Sequence, residues 1–199
     1  MSFYKYFPPL RFCAIALSMT VLAIAASSSI PVAGVQTKDG TVAFEAGLVL
    51  ANTSTTFNDV RVRQAKYYFD LELPADIGEP LQKVVIQQRT GGDEVKFKPE
   101  KTEVYYGDRR NRGESLKAIA IVKENYQDED KTTGAIAVQF ERPIPPGNKI
   151  TISLKPKRNP RYAGVYLFGV TAFPRGEKAR GMYLGSGRLH FYRNDGFHR

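Results

Sequence analysis

The sequence predicts an all-β protein: an antiparallel β-sandwich, immunoglobulin-like in architecture, after an N-terminal signal segment. Three observations predict it. Several short stretches alternate apolar and polar residues with period two, the pattern of a strand buried on one face. Pro- and Gly-containing turns separate those stretches. No amphipathic segment longer than two helical turns breaks the pattern. The length of 199 residues suits one domain, residues 35–199, behind a short leader.

Residues 1–34 read as the leader. Lys5 and Arg11 supply a positive start, and Phe12 to Ala26, "FCAIALSMTVLAIAA", is apolar except for Ser18 and Thr20. The run falls short of the roughly 20 apolar residues of a comfortable membrane span, so it reads as a secretory signal. Small residues follow, and cleavage is expected between Ala26 and Gly34. The alternative is an uncleaved anchor, which would be the chain's one contact with a membrane and would leave the main domain outside in the same way. The single cysteine, Cys13, lies inside the leader. The mature chain is then expected to use no disulfide, thiol nucleophile or thiolate metal site.

The strands follow in order. "KYYFDLELP" puts Tyr67, Phe69, Leu71 and Leu73 on one face, and Pro74 ends it. "LQKVVIQQ" pairs Val84 with Ile86, while Val85 interrupts the alternation, and Gly91-Gly92 turn the chain. "VKFKP" is short, with Val95 and Phe97 on one face. "LKAIAIVKEN" reads as a strand from its Ile and Val content. "AIAVQFERPIPPGNKITISLKP" reads as a hairpin, with Pro146 and Gly147 at the centre of a type II turn. "KPKRNPRYAG" is a loop, and "VYLFGVTAFP" reads as a central strand covered on both faces. "YLGSGRLHFYRN" alternates Leu189 and Phe191 against His190 and Tyr192, with Gly185 to Gly187 read as a turn.

Reactive constellations are scarce. His190 and His198 are the two histidines, and there is no Gly-x-Ser-x-Gly elbow to pair with either. "GGDEVKFK" lacks the spacing and the Lys-Ser/Thr ending of a phosphate loop. Asp128, Glu129 and Asp130 read as a solvated hairpin tip, since the glycine and distal glutamate of a calcium loop are missing. Nothing places Glu100 and Glu103 in one cleft as an acid–base pair. No cofactor and no metal are expected, and the reading leans away from an enzyme. The enzymatic alternative is a hydrolase with loop carboxylates, drawing on Asp108, Glu114, Asp128, Asp130 or His190.

Charge is the remaining signal. The chain carries a net +9. From Val35 to Glu141 there are 15 Lys+Arg against 18 Asp+Glu, a balance of −3; from Arg142 to Arg199 there are 12 against 2, a balance of +10. So basic a half favours polyanions by long-range attraction. The candidate binding residues are Lys155, Lys157, Arg158 and Arg161 on one loop and Arg175, Lys178 and Arg180 on the next. If the strand between them crosses the sheet, the two loops lie at opposite ends. Arg109, Arg110 and Arg112 form a third cluster, with Tyr105 and Tyr106 nearby, a mixture that suits stacking on sugars or single strands. The partners expected are an envelope polyanion, a polysaccharide or an envelope protein; export argues against nucleic acid. A further alternative is a structural partner that pairs through an edge strand.

"YYFDLELPADIGEPLQKVVIQQ", "ERPIPPGNKITISLKPKRNP", "GVYLFGVTAFPRG" and "LGSGRLHFY" together resemble the cyanobacterial exported family labelled domain of unknown function 2808. The likeness covers roughly Gly40 to Tyr192. It implies a small secreted or periplasmic protein of an oxygenic phototroph, and it carries no catalytic residues.

Overall fold

The computed structural model describes residues 35–36, 40–123 and 134–193. The expected leader, the acidic tip at Asp128–Asp130 and His198 lie outside the described residues. The alternation read in Tyr67–Leu73 becomes a strand with every second residue buried. In chain order the strands are β1 (Val35–Gln36), β2 (Thr41–Ala43), β3 (Val49–Thr55), β4 (Tyr67–Leu73), β5 (Leu81–Thr90), β6 (Glu103–Gly107), β7 (Arg112–Leu116), β8 (Ala118–Lys123), β9 (Ala135–Ile144), β10 (Asn148–Leu154), β11 (Gly164–Pro174), β12 (Lys178–Ala179) and β13 (Met182–Phe191). A single 3₁₀ turn, Pro99–Lys101, is the helical element among the described residues.

Two five-stranded antiparallel sheets pack face to face in an immunoglobulin-like β-sandwich. Their orders are β3-β4-β10-β6-β7 and β13-β11-β5-β9-β8. A small third sheet, β1-β2-β12, includes one parallel pair. Tyr67, Phe69, Leu71, Ile150, Ile152 and Leu154 face inward from the first sheet, and Val84, Ile86, Ile136, Val138, Tyr166, Phe168 and Val170 from the second. Inward alternation on both sheets is what the buried layer of a sandwich requires. At one end the layer is aromatic: Phe168 meets Tyr67 at 5.8 Å, Phe69 at 6.1 Å and Phe97 at 6.1 Å between ring centroids.

Three expectations change. The segment 135–154 is not a hairpin. β9 pairs with β5 and β8, while β10 pairs with β4 and β6, so the Pro145–Gly147 turn carries the chain from one sheet to the other. Both strands do bury their alternate residues in the shared core, but from opposite sheets rather than side by side. Gly147 adopts φ +78°, as the turn reading requires, and its N–H donates to Leu73 O at 2.8 Å. β11 is an interior strand whose second face is only partly covered: Tyr166, Phe168, Val170 and Ala172 are buried, while on the other face Gly169 is buried, Leu167, Thr171 and Phe173 are half-buried and Val165 is 42% exposed. Gly185 to Gly187 lie within β13, where a bulge shifts the register and Leu184 is the extra residue, rather than in a turn. The interruption at Val85 also finds its cause. Val85 joins Ala135 and Ala137 in a small second cluster on the outer face, with Phe173 against it.

The sandwich edges differ. β3 and β13 close one side, with Gly187 set so near Thr53 that a side chain would strike it. On the other side, β7 is guarded by exposed Arg112 and Glu114. Among the described residues β8 pairs with β9 only, and Ile119 and Ile121 on its outer face are 67% and 53% exposed.

Candidate functional site

The aromatic end of the core anchors a short two-stranded ribbon. Phe97 bridges Pro156 in antiparallel fashion, with Lys98 N–H donating to Lys155 O at 2.8 Å and Lys157 N–H to Lys96 O at 2.7 Å. Phe97 is buried against Tyr67 and Phe168, and Pro156 is buried beside it. Strand alternation then turns Lys96, Lys98, Lys155 and Lys157 to the opposite face. The register sets Lys96 across from Lys157 and Lys98 across from Lys155, two like-charge pairs in an arrangement that is unfavourable without a counter-charge. Burial, then the ammonium groups of Lys66, Lys101 and Lys98, hold Lys155 below the usual lysine range.

A cleft of about 730 Å³ lies beside this ribbon, lined by Arg63, Asp93, Glu94, Lys96, Lys98, Lys157, Arg158, Asn159 and Arg161. Two of its six cations are neutralised. Lys96 meets Glu94 at 3.4 Å, and Arg161 meets Asp93 through Nη2 at 3.0 Å, Nε at 3.2 Å and its backbone N–H at 2.9 Å. Those bonds hold the Asp93 carboxyl below the usual carboxylate range, against the opposing effect of its burial. Arg63, Lys98, Lys157 and Arg158 have no ion pair among the described residues.

The loops around the cleft are fixed from beneath. Asn159 is fully buried. Its Nδ2 donates to Phe57 O at 2.9 Å and to Asp59 O at 2.8 Å, and its Oδ1 accepts from Tyr67 Oη at 3.0 Å. Gln88 clamps the facing loop, donating to Asp93 O at 2.7 Å and accepting from Val95 N–H at 2.8 Å. Tyr166 Oη donates to Tyr162 O at 3.0 Å.

The sequence-predicted residues therefore divide. Lys157 and Arg158 line the cleft, Lys155 stands on the ribbon next to it, and Arg161 is bound to its wall. Arg175, Lys178 and Arg180 sit beyond the far end of β11, as the strand reading implied. There they share the end with Glu45, Asp76, Glu79 and Glu177: Arg175 N–H bonds Pro80 O, Arg180 N–H bonds Val42 O, and Glu45 N–H bonds Ile77 O. In the third cluster Arg109 and Arg112 are engaged internally, while the side chain of Arg110 is exposed. Arg109 lies over the Tyr68 ring at 5.1 Å, and Arg112 over Tyr105 at 4.5 Å while pairing with Glu103 at 3.3 Å. Sequence reasoning missed Arg63, Lys96 and Lys98. The signal that could have found the lysines is the twin Lys-x-Lys pattern, "KFK" and "KPK", each centred on a residue that packs inward.

A second depression, of about 700 Å³ on the outer face of the first sheet, holds Asp70, Glu72 and Asp108. Each carboxylate is engaged: Asp70 accepts from Asn52 and Thr151, Glu72 pairs with Lys149 at 2.6 Å, and Asp108 accepts from the backbone of Arg110 and Asn111. Among the described residues no three His, Cys, Asp or Glu side chains gather to hold a metal ion. His190 is exposed on β13 and stacks on Tyr192.

Fold and cleft together define a β-sandwich protein with a preformed cationic cleft at one end. The chain belongs to the family described as protein of unknown function DUF2808, whose sequence profile matches residues 41–191. No curated protein matches it. Among solved structures, the chain is similar to one described as the complete manganese lipoxygenase of Gaeumannomyces graminis with a partial zonadhesin of Komagataella pastoris, at TM-score 0.37 and 12% identity. That match covers 71% of this chain and spans 49% of the other. It is also similar to the collagen-binding domain of a Staphylococcus aureus adhesin, at TM-score 0.33 and 11% identity over 65% of this chain and 87% of that one. A cohesin module from a Clostridium perfringens family 33 glycoside hydrolase matches at TM-score 0.32 and 12% identity, over 73% and 98%.

Proposed function

We propose that this protein is an exported, non-catalytic module of the periplasm or cell envelope, in keeping with the oxygenic phototroph its family resemblance implies, and that it binds an anionic envelope ligand. The observation that carries the reading is the cleft: four cations without ion-pair partners among the described residues, on loops already ordered by Asn159 and Gln88. Because the loops are fixed, binding an anion does not also have to order them. The test is cosedimentation of the purified protein with envelope membranes and cell-wall polysaccharide across a salt series. Binding through this cleft falls steeply with salt. It is lost in Lys157→Gln/Arg158→Gln and kept in Arg175→Gln/Arg180→Gln. Equal binding at low and high salt would sink the electrostatic reading.

Edge-strand pairing with another sheet is a second reading, and β8 favours it. Glu141 N–H bonds Lys117 O, so alternation turns the backbone groups of Ala118, Ala120 and Val122 away from β9. No proline, glycine or charge guards Ala118 to Val122. The amides of these three residues should exchange freely in the isolated protein and become protected when envelope extract is added. Unchanged exchange rules this reading out.

A further inference from the structure

We propose that the cleft is a phosphate site and takes a phosphate monoester carried on a group the size of a sugar. This rests on the reading above, that the cleft binds an anion, and narrows its chemistry.

The first argument is charge density. Four unpaired cations converge on about 730 Å³. A carboxylate on a ligand of that size brings a single charge. A phosphate monoester brings about −1.5 to −2 and three acceptor oxygens.

The second argument is donor type. Across the ribbon, facing lysines have Cβ atoms about 5 Å apart, and successive outward lysines on one strand lie about 7 Å apart. Ammonium groups are compact charges with rotatable donors, suited to the oxygens of a tetrahedral anion, and the arginine forks of Arg63 and Arg158 match a phosphate as well as a carboxylate. Of the arginines here, Arg161 already spends its fork on Asp93. Lys98 and Lys157, which line the cleft without an ion pair among the described residues and each face a further lysine across the ribbon, gain most from a ligand of high charge.

The third argument concerns the rest of the ligand. The lining holds no aromatic side chain among the described residues, so a nucleobase finds no face to stack on. Glu94 stands exposed on one wall. It offers acceptors to hydroxyl groups and repels a long polycarboxylate. Asn159 makes three hydrogen bonds within the protein and belongs to the support of the cleft. A hydroxyl-rich carrier fits these walls. It could be a free sugar phosphate or the phosphorylated headgroup of an envelope glycolipid, and the two arms below separate these sources.

The experiment uses the purified full chain. Calorimetric titration compares glucose 6-phosphate with glucuronate, two ligands of similar size that differ in the anion. Cosedimentation compares phosphatidylcholine vesicles carrying a monophosphorylated glycolipid with vesicles carrying its dephosphorylated form. The expected result is a preference for phosphate of roughly tenfold or more in at least one arm. Affinity for the phosphate should weaken as pH drops through about 6, where the second proton returns, while glucuronate binding stays flat. Lys98→Gln/Lys157→Gln should lose the preference, and Arg175→Gln/Arg180→Gln should keep it. Binding of the free sugar phosphate identifies a soluble ligand, and binding only on vesicles identifies the headgroup. Equal affinity for glucose 6-phosphate and glucuronate, with equal binding to both vesicle types, overturns the phosphate assignment and leaves the anion reading standing. No binding to these probes or to envelope polyanions at any salt overturns both.

Discussion

Replacing Asn159 by alanine tests how firmly one buried amide holds the cationic end together. Asn159 has no exposed surface and makes three hydrogen bonds, to Tyr67 Oη, Phe57 O and Asp59 O. Alanine removes the amide and leaves a buried phenol and the Asp59 carbonyl without partners, while Phe57 O keeps its bond from Thr55 Oγ1. Each such group costs about 1–3 kcal/mol when it stays dry. With partial relaxation of the Asp59 carbonyl toward solvent, the two groups together put the loss at about 2–4 kcal/mol. Against a total on the order of 5–15 kcal/mol, the variant is badly weakened and still able to fold. The assay is urea unfolding followed by far-ultraviolet circular dichroism and tyrosine emission, since the chain has no tryptophan. Tyr67→Phe should cost about 1–2 kcal/mol, because it strands one acceptor rather than two groups. The double variant should cost less than the sum, since the Tyr67–Asn159 bond is removed in both singles. A loss below about 1 kcal/mol for Asn159→Ala would refute the reasoning, because water would then be replacing the amide at little cost. Strict additivity of the pair would refute it equally.

Other expectations follow from the same structure. Arg161 holds the Asp93 carboxyl below its ordinary 3.8, so the pair contributes fully above that value and is lost as pH falls through the lowered one. Wild type and Arg161→Gln should therefore differ in Tm at neutral pH and converge in strong acid. Gly147→Ala forces an alanine into the left-handed region at φ +78° and should cost about 1–2 kcal/mol, read as a lower urea midpoint with an unchanged slope. Ile119→Lys/Ile121→Lys places charges on exposed positions of β8 and should leave stability within about 0.5 kcal/mol per substitution. An unfolded variant would show that this outer face is covered.

The sandwich was legible where burial alone decides local pattern. In β4, β10 and β13 the inward residues can be read directly from period two, because each strand has one face on the core. Pairing was not legible. Ile136, Val138 and Phe140 and Ile150, Ile152 and Leu154 show the same alternation whether their strands lie side by side or face each other across the core, and a Pro-Gly turn serves both arrangements. The candidate site was half legible for a related reason. Lys155, Lys157 and Arg158 are adjacent in sequence and stood out as a basic loop. Lys96 and Lys98 join them through the Phe97–Pro156 bridge, and Arg63 comes from a third segment, so no local count of charge gathers them. Arg175, Lys178 and Arg180 look alike in sequence, and only the fold sets them beyond the far end of β11, away from the cleft.

The turn that carries β9 into β10 also has a consequence for how the chain folds. A hairpin there could zip from its turn outward, using contacts a few residues apart. Instead β9 must find β5, and β10 must find β4 and β6, so this stretch stays without partners until distant segments have closed on it. Topologies of this kind fold slowly, on the order of milliseconds to seconds. The lysine ribbon inherits the delay, because Phe97 and Pro156 meet only once both sheets are in place. On the proposed reading, a partly folded chain would carry all the lysines without the cleft, and anion binding during refolding would appear only after Phe97 and Pro156 have met.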